Sequence, residues 1–216
     1  MARALITWGG WPGHEPDKVA ALFRSMLEAE GCAVEVTDTL TCFDDPAALA
    51  AVDMIVPVWT MSEILPQQAQ NVADAVAAGA GLAGCHGGMC DAFRGEVLWQ
   101  FLTGAQWVAH PGNDGVKYRV RTLGDDPLVA GIGDFDVATE QYYLHVDPVV
   151  KVHAVCDFPV VDGPHAVNGP VAMPVAYTKG WGRGRVYYNA LGHQAAVIDH
   201  GPAREMLRRG FLWAAR

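Results

Sequence analysis

Apolar residues recur along this chain in two alternating rhythms. Residues 4–8 form a short unbroken apolar run ending at Gly9-Gly10, the pattern of a strand buried on both faces that opens into a loop. Pro16 and Asp17 suit a helical first turn, and Val19, Leu22, Phe23, Met26 and Leu27 then repeat at helical spacing as far as Gly31. The alternation continues with strands over 33–36 and 53–59, an Ala-rich helix over 65–78 closed by Gly79, and a strand over 81–85. A helix-compatible segment follows from Gly87-Gly88 through Phe93, Val97, Leu98, Phe101 and Leu102. Strands separated by helix-length crossovers must run parallel, so the pattern predicts an α/β fold with a doubly wound, mostly parallel sheet.

Beyond Trp107 the helical spacing gives way to extended runs over 115–123, 135–139, 149–155 and 171–178. A last strand is expected over 185–191, and a closing helix over 202–213 turns Met206, Leu207, Gly210 and Phe211 inward. No linker-like composition and no repeat interrupts the chain. The expectation is one domain over 1–216 with extra strands in its second half.

With 51% hydrophobic and only 18% charged residues, disorder and coiled coil are excluded. Fifteen Lys+Arg against 24 Asp+Glu leave a net charge of −9 with no basic run, so nucleic-acid binding lacks its electrostatic footprint. No apolar run approaches the ~20 residues a bilayer span needs. The apolar stretch before Gly9 is too brief for a secretory signal, and five cysteines without paired spacing read as reduced thiols, so the expected location is the cytoplasm. A homo-oligomer is compatible with all of this.

In open α/β sheets, ligands bind outside the carboxyl ends of the strands. His14, His86 and His193 each follow a predicted strand within a Gly-containing turn. Gly84-Cys85-His86-Gly87-Gly88 has the shape of a nucleophile elbow, but the central slot holds His86. Cys85 should then face away as a small buried hydrophobe, and nothing in the sequence activates Cys90. Glu140-Gln141-Tyr142-Tyr143-Leu144-His145 packs a carboxylate, two phenols and an imidazole into six residues. Glu140 suits a general base or metal ligand there, and Tyr142 or His145 a hydrogen bond to a hydroxylated ligand. An edge strand with Tyr143 packed and Glu140 solvated would give the same letters. His110, in His110-Pro111-Gly112, is a flanking candidate, and His153, His165 and His200 read as ordinary strand or loop positions. Gly180-Trp181-Gly182-Arg183-Gly184 precedes a strand and reads as a hairpin turn. With no GxGxxG, HExxH or CxxC pattern, no nucleotide cofactor is expected.

Gly9-Gly10-Trp11-Pro12-Gly13-His14-Glu15-Pro16, Gly84-Cys85-His86-Gly87, Glu140-Gln141-Tyr142-Tyr143, and the stretch from Met173 to Gly192-His193 together resemble the ThuA-like (trehalose utilisation) family over nearly the whole chain. The resemblance implies a flavodoxin-like, class I glutamine amidotransferase-like fold. It implies a site of His14, His86, Glu140 and His193, with Tyr142, His145 and His110 beside it, and a role in sugar metabolism, on 3-keto disaccharides or related glycosides. Amidotransferases carry a cysteine where this chain has His86, so glutamine hydrolysis lacks its nucleophile.

Three functions remain in view. The first is an enzyme on an oxidised sugar, of lyase, isomerase or hydrolase type, working by His and Glu directly or around zinc or another divalent metal held by His14, His86 and His193. The second is a non-catalytic sugar-binding or regulatory module, with Trp11, Trp59 and Tyr142 stacked on the sugar. The third is a Cys85-dependent amidase or hydrolase.

Overall fold

The computed structural model describes residues 1–199 and 201–215. Its strands are β1 (Arg3–Gly10), β2 (Ala33–Thr37), β3 (Met54–Thr60), β4 (Gly81–Cys85), β5 (Ala105–Ala109), β6 (Val116–Thr122), β7 (Phe135–Thr139), β8 (Tyr143–Val146), β9 (Lys151–Phe158), β10 (Val171–Trp181) and β11 (Gly184–Asn189). Nine of them form one sheet in the order β2-β1-β3-β4-β11-β10-β9-β6-β7, and β5 pairs with β8 separately. From β2 to β11 all neighbours are parallel, whereas each joint from β11 to β7 is antiparallel. The central strands explain their own sequence. β3 and β4 are covered on both faces and are apolar at nearly every position rather than alternating.

Helices α1 (Pro16–Ala29), α2 (Pro46–Ala50), α3 (Pro66–Ala77), α4 (Gly87–Cys90), α5 (Val97–Thr103), α6 (Ala195–Ile198) and α7 (Gly201–Ala214) flank the sheet. α1 and α7 pack together, with the Phe23 and Phe211 rings edge to face at 4.9 Å. α3 and α5 form another packed pair. Gly210 lets α7 lie directly on β11: a Cβ there would stand 2.1 Å from the ring of Tyr187. That ring is fully buried, and its hydroxyl donates to the Met206 carbonyl at 2.9 Å, so it cannot yield. Gly210→Ala is therefore expected to cost about 2 kcal/mol by overpacking and to lower the thermal midpoint by roughly 4–8 °C in a scanning-calorimetry comparison.

Several boundaries differ from the sequence expectation. The segment after Gly87 is two helices, since residues 91–96 turn away once Asp91 and Arg94 pair and Glu96 caps the second at Leu98 N–H. The run expected over 149–155 is shifted: Asp147 turns the chain at Val149 N–H and β9 begins at Lys151. β5, β8 and α2 were not anticipated. The Gly180–Gly184 stretch is the β10–β11 hairpin, as its residues suggest. No helix among the described residues is long and apolar enough to cross a membrane.

Candidate functional site

Four side chains that lie far apart in sequence meet at the carboxyl ends of the parallel strands. His14 closes the turn after β1. His86 follows β4 directly, and its backbone (φ 49°, ψ −143°) is the strained conformation of a nucleophile elbow, a region favouring glycine. Its N–H donates to the Asn189 carbonyl at 2.7 Å, so neighbouring β11 holds the elbow closed. Gly87 makes the meeting possible, because a Cβ there would sit 2.7 Å from the His14 ring. His193 follows β11 through Gly192.

Glu140 arrives from the opposite end of the sheet order. It directly follows β7, the last strand, so the antiparallel half folds back over the ends of the parallel half. Two anchors hold it there. Tyr118 donates its hydroxyl to the Glu140 carbonyl at 3.0 Å, and the buried Gln141 side chain donates to the Asp157 carbonyl (2.8 Å) and accepts from Val160 N–H (3.0 Å).

The potential ligand atoms of His14, His86, Glu140 and His193 all lie within 4.8 Å of one another, and all four residues are buried. Each imidazole has one nitrogen fixed or faced by an outer partner. His86 Nδ1–H donates to the Ala190 carbonyl at 2.8 Å. His14 Nδ1 shares a hydrogen bond with the Thr60 hydroxyl at 3.0 Å, and His193 Nε2 faces Asp114 Oδ2 at 4.0 Å. Tyr142 stacks on the His86 ring at 3.9 Å and fixes its plane. Outer partners that orient imidazoles in this way are usual around metals.

What faces the centre is electron-rich. With Nδ1–H committed to Ala190, His86 Nε2 meets Glu140 Oε2 at 3.1 Å, a contact that a proton or a cation must bridge. His193 Nδ1 lies 3.4 Å from Glu140 Oε1 at an angle that makes no hydrogen bond, and it has no other partner among the described residues. Burial holds His14 down to about 3, helped by the neighbouring His86 and His193, and burial likewise lowers His86. Burial alone would raise Glu140 and lower His193, but their mutual attraction, with His86 adding to it for Glu140, leaves the acid below the usual carboxylate range and His193 raised. The donor set, imidazoles plus one ionised carboxylate with buried atoms left unpaired, fits a divalent metal ion.

A sign follows for stability. His14 and His86 have folded values below the unfolded ~6.5, so their contribution is full above that pH and is lost as pH falls below it. His193, raised, acts oppositely, stabilising below ~6.5 and losing that contribution as pH rises through its folded value. Two groups outweigh one. The metal-free protein should lose melting temperature from pH 6.5 towards 4, with a shallower slope in His14→Gln, each such imidazole contributing up to about 1.4 kcal/mol per pH unit.

The remaining candidates are placed as follows. His110 lies at the rim, 28% exposed, with Nε2 3.9 Å from Glu140 Oε1. Trp11 is exposed and meets His14 edge to face at 4.8 Å, forming a lip. Trp59 packs over Gly9. Tyr142 is buried face-on against His86, a support for that ring. His145 is not brought in: strand alternation along β8 buries Leu144 and turns His145 outward opposite Gln106. Glu140 is buried, which overturns the solvated-edge alternative. Cys85 lies beneath the elbow with its thiol pushed up to about 12 by burial, and Cys90 likewise, so neither is an activated nucleophile. His153 is a buried strand residue bonded to Thr178, and His165 bonds the Val161 carbonyl. His200 lies outside the described residues. Sequence reasoning missed Thr60 and Asp114. Thr60 ends β3 at the same sheet edge, and Asp114 sits in the turn Asn113-Asp114-Gly115, so both carried a positional signal.

The sequence matches the ThuA family, trehalose utilisation, over residues 3–214. The chain belongs to that family. A ThuA-like protein from Bacteroides uniformis superposes with a TM-score of 0.77 at 15% identity, covering 99% of this chain and 91% of that one. A ThuA-like protein from Parabacteroides merdae gives 0.73 at 16% identity, covering 99% and 89%. A β-galactosidase from Bacillus circulans gives 0.60 at 12% identity over 99% of this chain, but only 30% of its own. At such identities the likeness is one of fold. Among curated proteins none matches the sequence at a significant level. This member of the family thus carries, on its α/β sheet, a buried His/Glu group able to hold a metal ion.

Proposed function

We propose that this ThuA-family chain, acting as a single domain, is a carbohydrate-active enzyme of lyase, isomerase or hydrolase type for an oxidised (3-keto) disaccharide or glycoside. A divalent metal such as zinc would be held by His14, His86, Glu140 and His193. The observation that carries this reading is the convergence of four buried ligand atoms within 4.8 Å of one another, with His86 Nε2 and Glu140 Oε2 at 3.1 Å and the other His86 nitrogen already committed. Two buried acceptors in contact are costly unless a cation or proton lies between them. When bound, the metal would polarise a sugar carbonyl as a Lewis acid.

The chain's own residues would do the rest. Trp11 at the lip offers a flat apolar face for a sugar ring. His110, outside the ligand set but 3.9 Å from Glu140, is positioned to take up or return a proton beside the carbonyl. Asp114 faces His193 Nε2 and would orient that ring. The five free cysteines suit a reducing compartment, so we place the protein in the cytoplasm, with a small sugar as partner.

The test is turnover of 3-keto and unmodified disaccharides before and after chelation and metal re-addition. Turnover of the oxidised sugar that is lost with chelator and restored by metal supports the proposal. A second reading, a non-catalytic sugar-binding module, follows from the exposed Trp11 beside the cluster, since a fold by itself fixes no chemistry. Sugar binding without turnover under every metal condition would select it.

A further inference from the structure

A large cavity adjoins the His/Glu cluster on its His193 side. It measures about 870 Å³, within the ~300–1,000 Å³ range of small-molecule sites, and is walled by β6, β7 and α6. Asp114 belongs to its lining and is also the carboxylate 4.0 Å from His193 Nε2, so the cavity lies beside the cluster. Gln194 lines it too, next in sequence to His193. The side chains of Lys117 and Gln194 have no hydrogen-bond or ion-pair partner among the described residues, although Arg119 across the cavity is paired with Asp134 and Asp136.

The chemistry of this lining selects its ligand. Lys117 and Arg119 against Asp114 and Asp136 give two positive and two negative groups, so neither an anion nor a cation is favoured. The groups open to a ligand both donate (the Lys117 ammonium, the Gln194 amide NH₂) and accept (the Asp114 carboxylate, the Gln194 carbonyl). A neutral group bearing several hydroxyls, each donor and acceptor at once, answers all of them. A smaller slot of about 290 Å³, lined by Val108, Pro111, Phe158, Pro159 and Val171 beside Tyr143, His165 and Asn168, has no charged group in its wall.

We propose that the cavity walled by β6, β7 and α6 is the subsite for a second polyhydroxylated ring, carried by the sugar that reacts at the His/Glu cluster, and that Lys117 and Gln194 determine this specificity. The inference rests on the functional reading above, in that it takes the reacting sugar to lie at that cluster. It makes the protein selective for two-ring substrates.

Isothermal titration of the metal-loaded protein with a 3-keto disaccharide and with the matching methyl 3-ketoglycoside tests it. The wild type should bind the disaccharide about tenfold more tightly. Lys117→Met/Gln194→Ala should abolish that preference while leaving methyl glycoside affinity, and the thermal midpoint, unchanged. Equal affinities in the wild type, a preference that survives the double variant, an equal loss for both sugars, or binding of neither overturns the subsite. A two-ring preference that the variant abolishes, with no turnover of either sugar, leaves the subsite standing and removes the catalytic reading. Turnover of both sugars with no preference does the reverse.

Discussion

Glu140→Gln should lower turnover of the oxidised sugar by about 10²–10⁴-fold and should cost the metal-free protein the attraction between the carboxylate and His193. The two effects have one cause. Glu140 is 5% exposed, its backbone is pinned through Tyr118 and Gln141, and its carboxylate stands between His86 and His193. An amide of the same shape loses the charge that holds a cation. It also offers an N–H that can donate to His86 Nε2, so the two side chains stay bonded with no cation between them. A merely structural salt-bridge role predicts instead that activity falls only as far as stability does, and that added metal restores neither. Melting curves with and without metal, set beside kcat and KM, separate the cases, and activity within about threefold of wild type would remove Glu140 from the proposed centre.

The second large effect is at the elbow. His86→Ala removes the only nitrogen that the elbow delivers to the centre, and should abolish stoichiometric metal and turnover together. Alanine at φ 49° is strained, so part of any loss could come from misfolding. His86→Gly supplies the control: glycine accepts that backbone without strain, so this variant should equal or exceed His86→Ala in thermal midpoint and be equally devoid of metal and activity. Retention of metal by a folded His86→Gly protein would contradict the ligand set.

The chain displays its parallel half openly. β3 and β4 are almost wholly apolar runs, β1 is apolar but for Arg3 and Thr7, and α1 carries a 3.6-residue stripe behind Pro16, so local rules suffice. β5 and β8 are short strands that pair only with each other, and at five and four residues they are too brief for alternation to mark them from sequence. α2 has a capping Asp45 and Pro46 at its start, but at five residues it is too brief for any periodicity. The site divides similarly. His14, His86 and His193 were legible because each follows a strand of the parallel half and the sheet-edge rule gathers them. Glu140 stood out only by the density of polar groups around it and by family resemblance. Its strand lies at the far end of the sheet, and the fold-back that returns it depends on Gln141 clasping Asp157 and Val160, a tertiary contact that no local pattern encodes. His145 misled for the converse reason, since one residue of strand phase decides whether a side chain faces the site or solvent.

The central claim is that three imidazoles and one carboxylate act as the ligands of a single cation. X-ray absorption at the zinc edge, on protein loaded with one equivalent of zinc, reads those ligands directly. The expected first shell contains three imidazole nitrogens and at least one oxygen, at about 2.0–2.1 Å, with no sulfur. A shell of sulfur, one with fewer than two imidazoles, or the absence of stoichiometric zinc would contradict it.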